Sequence, residues 1–122
     1  MLRSCLSLSL LATAALANGS DKLEFVFEVV RHGARAPLIN SDIHAFNVPP
    51  QMLTPSGMRQ RYLLGTRNRQ RYVEQLGLLS QDYDQSEIYV ESTDVLRTLQ
   101  SAESELLGLY PAGEGAKLSK KQ

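Results

Sequence analysis

A run of eight mostly apolar residues, Leu23 to Val30, leads directly into Arg31-His32-Gly33-Ala34-Arg35-Ala36-Pro37. Apolar side chains on both faces of so short a segment describe a strand buried in a parallel sheet. A parallel sheet needs a crossover, usually a helix, before its next strand. Thr54-Pro55 supplies a helix start, with Thr as cap and Pro at the first helical position, and Gly77 after Leu76 supplies a stop. Met58, Tyr62, Val73 and Leu76 share the face expected to be buried. Ser86 to Glu91 alternates like a short strand, with its core at 88–91. Ser92-Thr93-Asp94 then offers caps before Leu96, Leu99, Ala102, Leu106 and Leu109 recur at helical spacing, which predicts a helix over 95–109. Strand, helix, strand and helix make a right-handed βαβα start to an α/β sheet. The turn at 31–37 then lies at the carboxyl end of the first strand, where α/β sheets place their ligands. Residues 38–53, with Asn40-Ser41-Asp42 and Pro49-Pro50, read as a long loop beside that turn.

An imidazole between two guanidiniums is suited to attack on a phosphoryl group. Arg31 and Arg35 present rigid forks of donors that match phosphate oxygens and stay charged. They disfavour a third positive charge beside them, which favours the neutral, nucleophilic form of His32. A ring nitrogen of His32 then attacks phosphorus, and water later hydrolyses the phosphohistidine. Arg97 falls in the first turn of the second helix, where free N–H groups and the helix dipole collect anions. Taken alone, Arg97 reads rather as a surface ion-pair partner of Asp94, three residues earlier.

Three blocks together resemble the histidine acid phosphatase family, the acid phosphatase and phytase branch of the histidine phosphatase superfamily. They are Arg31 to Pro37, then Leu53-Thr54-Pro55-Ser56-Gly57-Met58-Arg59-Gln60 with Tyr62 and Gly65, and Glu91-Ser92-Thr93-Asp94-Val95-Leu96-Arg97-Thr98 with Ser101 and Ala102. Ala34, Arg35 and Pro37 fit this branch, since the other usually carries an acidic or amide residue after Arg-His-Gly. The resemblance implies the N-terminal βαβα portion of a parallel or mixed-sheet, three-layer α/β sandwich. It makes His32 the nucleophile and Arg31, Arg35 and Arg97 the phosphate ligands. It also implies a downstream His-Asp pair, the His binding phosphate and the Asp protonating the leaving oxygen. This chain has only His32 and His44 and no His-Asp dipeptide. Residues 18–112 are accordingly expected to be an incomplete N-terminal part of the domain, weak or inactive as a phosphatase when alone. The alternative is a non-catalytic phosphate-binding or interaction module that kept the arginines.

The remaining residues narrow compartment and partners. Met1-Leu2-Arg3, the apolar stretch Leu6 to Leu16 and the small-x-small triplet Ala15-Leu16-Ala17 read as a signal peptide over residues 1–17, with a secreted or lysosomal, endomembrane destination. Its removal takes away Cys5, the only cysteine, and leaves no segment able to span a bilayer. It also leaves 12 basic against 13 acidic residues, so no overall field draws the chain to nucleic acid. Asn18-Gly19-Ser20 is a glycosylation sequon at the expected mature terminus. Arginines at 59, 61, 67, 69 and 71 read as a solvated helix face, with Arg69 partly buried and paired. His44 has no Cys or His nearby to make metal-ligand spacing and reads as a surface or loop-packing residue, and Asp82 and Asp84 lack the Gly and later acidic ligand of a calcium loop. No cofactor or metal is called for, since the arginines bring the positive charge a metal would bring. The partner implied is a phosphomonoester, small or on a protein. From Gly113 the polar residues through Gln122 read as a flexible tail.

Overall fold

The computed structural model describes residues 22–39 and 45–113. The residues expected to form a signal peptide, 1–17, together with Asn18, His44 and residues 114–122, lie outside the described residues. Helix α1 spans Pro55–Asn68 and continues directly into a π-helical segment, Arg69–Gln75. Helix α2 spans Leu96–Leu109. The two long helices pack against each other and form the centre of the structure.

Helix α1 begins as its sequence dictates. The Thr54 hydroxyl accepts the Gly57 N–H at 3.1 Å, satisfying one of the free amides of the first turn, and Pro55 follows where no N–H is needed. The far end also matches: Gly77 adopts φ +57°, the left-handed conformation that terminates a helix at little cost to glycine. Between them the chain widens into the π-helical segment, so the fifth residue back replaces the usual fourth as hydrogen-bond partner. The second helix begins at Leu96, with Val95 in the capping position and no side-chain cap. The Ser92-Thr93-Asp94 cap expected from sequence does not form. The Thr98 hydroxyl instead donates to the carbonyls of Thr93 and Val95 at 2.9 and 2.7 Å.

The buried face of α1 differs from the one its apolar residues mark. Gly57, Arg61 and Gly65 are buried, whereas Met58, Tyr62 and Leu76 are exposed; Val73 alone of the expected four is buried. The reason is close approach. A Cβ at Gly65 would run into the backbone of Glu105 on α2, and one at Gly108 into the backbone of Tyr62 and Thr66 on α1. The helices touch through backbone where these glycines meet, leaving the larger side chains outside. On α2 the buried residues are Ser101, Gly108 and Leu109, while Leu96, Leu99 and Leu107 remain exposed.

No strand ladder forms among the described residues. The two segments expected as strands, 23–30 and 88–91, carry no assigned pairing. A strand requires a neighbour to take its N–H and C=O groups, and neither segment lies in a ladder with the other. Phe25, Phe27 and Val29 are 76, 80 and 81% exposed, which corrects the expectation of a strand buried on both faces. The last residues of the long loop, by contrast, pair with the turn that precedes it. Residues 34–37 run antiparallel to 51–54 around a bridge between Arg35 and Leu53, and Leu53 is fully buried. Ala36 donates to Met52 O at 2.9 Å, Gln51 to Pro37 O at 3.0 Å, and Thr54 to Ala34 O at 2.9 Å. Farther along, Ser86 gives both its N–H and its hydroxyl to Asp84, at 2.8 and 2.7 Å, and holds that carboxyl below its usual range.

Candidate active site

The turn carrying His32 is fixed from three sides. Beneath it lies the first turn of α1: a Cβ at Gly33 would meet the backbone of Gly57, so glycine is required there for the chain to sit on the helix. On one flank the Gly33 N–H donates to the buried hydroxyl of Ser101 at 3.1 Å. On the other, the Ala34 N–H donates to Gln60 Oε1 at 3.0 Å. The Ala34 carbonyl accepts from the Thr54 hydroxyl at 2.8 Å as well as from its amide. Thr54 therefore caps α1 and ties the His32 turn to that cap.

His32 is half-buried and its Nδ1 lies 2.8 Å from the Gly33 carbonyl. A carbonyl accepts only, so Nδ1 carries a proton and donates, and in the neutral ring Nε2 keeps its lone pair. The imidazole is thus held in the tautomer that exposes Nε2 as a nucleophile or base.

Arg31 is exposed, with its main-chain carbonyl 3.4 Å from Arg61 Nη1. Arg35 is half-buried, and its Nη1 donates to the Ala36 carbonyl at 2.9 Å. Arg97 is the second residue of α2, in its first turn as expected, and is half-buried with its Nε enclosed and without a partner among the described residues. No ion pair joins it to Asp94; the ion pairs among the described residues are Arg61–Glu105 and Arg69–Glu74. Ser101 links Arg97 to the His32 turn, since its hydroxyl donates to the Arg97 carbonyl at 2.6 Å while accepting from Gly33. The backbones carrying His32 and Arg97 are therefore two hydrogen bonds apart.

Arg61 is the residue that sequence reading misplaced. It is 7% exposed and ion-paired with Glu105, whose other oxygen accepts from Asn68 Nδ2 at 3.2 Å. Asn68 also donates to Glu28 at 2.9 Å. Burial pushes the Glu105 carboxyl above its usual range; Arg61 pulls it down and Glu28 adds to the rise. Arg69 is partly buried and paired as expected, donating to Leu109 O at 3.0 Å and to Gln81 Oε1 at 3.2 Å. A hollow of about 430 Å³ lies along Ser80, Asp82, Tyr83, Asp84 and Gln85, and none of the four candidate residues lines it.

The chain belongs to the histidine phosphatase superfamily, branch 2, whose sequence profile matches residues 22–122. The family's fold is α/β. Its similarity to individual proteins is high over the aligned part. The lysosomal acid phosphatase of Xenopus laevis is 47% identical over 107 residues, which cover 84% of this chain and 24% of that protein. The lysosomal acid phosphatase of Bos taurus is 45% identical over 94 residues, or 73% of this chain and 22% of that protein. The testicular acid phosphatase of Mus musculus is 43% identical over 114 residues, or 87% of this chain and 26% of that protein. The chain spans about a quarter of the length of these curated relatives.

Proposed function

We propose that the chain is the N-terminal part of an acid phosphatase, in which His32 takes the phosphoryl group of a phosphate monoester and Arg31, Arg35 and Arg97 bind the phosphate. The observation that carries this reading is the hydrogen bond from His32 Nδ1 to Gly33 O at 2.8 Å, within the Arg31–Pro37 stretch of a histidine phosphatase. It leaves Nε2 free to form a bond to phosphorus as the P–O ester bond breaks and the leaving oxygen departs as an anion, to be protonated by water. Water then cleaves the P–N bond, releasing inorganic phosphate and restoring the imidazole. Arginines on the nonbridging oxygens stabilise the charge that builds during both steps.

Residues 18–112 in this reading form the first βαβα portion of the family's three-layer sandwich, preceded by a signal peptide at 1–17 and followed by a polar tail. The names of the lysosomal relatives support a lysosomal or endomembrane destination. The chain contains no His-Asp dipeptide to serve as general acid. A general acid contributes about 10²- to 10⁴-fold, so the chain alone handles a good leaving group far better than a poor one.

The test is incubation with ³²P-labelled p-nitrophenyl phosphate followed by quenching at alkaline pH, where phosphohistidine survives. Label on His32 that vanishes in His32→Ala is the expected result. Label that persists in His32→Ala, or none in the wild-type chain, overturns the proposal in favour of a non-catalytic phosphate-binding module. Brisk turnover of a simple alkyl phosphate would refute the dependence on an additional acid.

A further inference from the structure

The Gly33 carbonyl and the Ala34 N–H belong to one planar peptide group and point to opposite sides of it. His32 Nδ1–H occupies the carbonyl end at 2.8 Å, and Gln60 Oε1 occupies the N–H end at 3.0 Å. The next peptide back is pinned as well, its Gly33 N–H held at 3.1 Å by Ser101, which is itself anchored on the Arg97 carbonyl at 2.6 Å. Hydrogen bonds in series polarise one another, so an acceptor on the Ala34 N–H makes the Gly33 oxygen a better acceptor for the imidazole proton.

We infer that Gln60 and Ser101 are positioning residues that clamp the two peptides flanking Gly33 and thereby keep the His32 proton on Nδ1 and the reactive lone pair on Nε2. The inference rests on the phosphohistidine reading for its catalytic consequence, although the tautomer itself is a property of the clamp. Gln60 acts through the backbone: its amide fixes the plane of peptide 33–34 and strengthens the bond on the far side. Ser101 ties the same turn to the first turn of α2, so the nucleophile and the Arg97 backbone shift together.

Gln60 lies on the exposed side of α1, so replacing it leaves the packing of the two helices intact. Gln60→Leu removes the acceptor, whereas Gln60→Glu keeps one. Ser101→Ala removes the buried hydroxyl, whereas Ser101→Thr keeps a hydroxyl able to reach the carbonyl four residues back. The full chain is labelled with ¹⁵N in histidine, and long-range ¹H–¹⁵N correlations report which ring nitrogen of His32 is protonated. Far-ultraviolet circular dichroism checks the fold in parallel. Wild type, Gln60→Glu and Ser101→Thr are expected to hold the Nδ1–H tautomer. Gln60→Leu and Ser101→Ala are expected to populate both tautomers and to slow His32 labelling by about three- to tenfold, the range of one net hydrogen bond. An unchanged tautomer and labelling rate in both Gln60→Leu and Ser101→Ala would overturn the clamp. Absence of label from the wild type would instead overturn the phosphohistidine reading, and the tautomer measurement would still decide the clamp.

Discussion

The buried Arg61–Glu105 pair offers a quantitative test of how the two helices are held. Side-chain exposures of 9% and 16% place both charges largely out of water. Removing one partner from a buried pair typically costs about 3–5 kcal/mol, because the other charge is left without compensation. Glu105 keeps the Asn68 amide and some solvent, so Arg61→Met is expected at the low end, about 3 kcal/mol. Glu105→Leu leaves Arg61 with the Arg31 carbonyl and should cost about 2 kcal/mol. The double replacement strands no charge and should also cost about 2 kcal/mol, well short of the additive 5, for a coupling of about 3 kcal/mol. The pH dependence follows from the direction of the Glu105 shift. Its carboxyl is raised above 4.5 in the folded chain, chiefly by burial and against the pull of Arg61. Over that window the folded state binds more protons than the unfolded state, so this group's contribution to stability falls as pH rises. Without Arg61 the carboxyl rises further, and the cost of Arg61→Met should shrink as pH drops toward 4.5. Urea unfolding of the full chain at neutral and acidic pH measures both effects. Single-variant costs that add within about 0.5 kcal/mol, or an Arg61→Met cost independent of pH, would refute the reasoning.

Gly108→Ala forces a methyl group toward the Tyr62 carbonyl and to 2.8 Å from the Thr66 nitrogen, and should lower stability by about 2 kcal/mol or more. Gly77→Asn, at an open left-handed position, should cost less than about 1 kcal/mol in the same urea titration. A Gly108→Ala cost as small as that of Gly77→Asn would mean that the helices do not meet through backbone. Thr54→Ala loses both the cap on Gly57 and the bond to Ala34, with an expected loss of about 1–2 kcal/mol. Thr54→Ser should recover most of it, and equal unfolding midpoints for Thr54→Ala and Thr54→Ser would show that the hydroxyl contributes little.

The helices were legible because a helix satisfies its own backbone, so Thr54, Pro55 and Gly77 act where they stand. The segment 23–30 shows the converse. Its apolar pattern describes what a strand would bury, but a ladder depends on a neighbour that local sequence cannot supply, and Phe25, Phe27 and Val29 remain exposed. The buried face of α1 was misread for a different reason. Apolar periodicity selected Met58 and Tyr62, each one position, about 100°, beyond Gly57 and Arg61. The spacing Gly57, Arg61, Gly65 held the better signal, because glycine recurring every fourth or eighth residue marks a face that backbone approaches closely. Arg61 lies between those glycines and is buried with them, which its neighbours Arg59 and Arg67 in sequence concealed.

The same division runs through the candidate site. His32, Arg31, Arg35 and Arg97 stand out by residue type and local spacing, whereas Gln60, Ser101 and Thr54 matter only through contacts 20 to 68 residues distant. Those distant contacts are made by helices alone. Thr54 and Gln60 come from the start of α1 and Ser101 from α2, and each grips a different atom of Gly33 or Ala34. The orientation of His32 is therefore set by how closely α1 and α2 approach one another, and that approach is governed by Gly65 and Gly108. A methyl group at Gly108, more than 70 residues from His32 in sequence, should loosen the nucleophile turn as well as the fold.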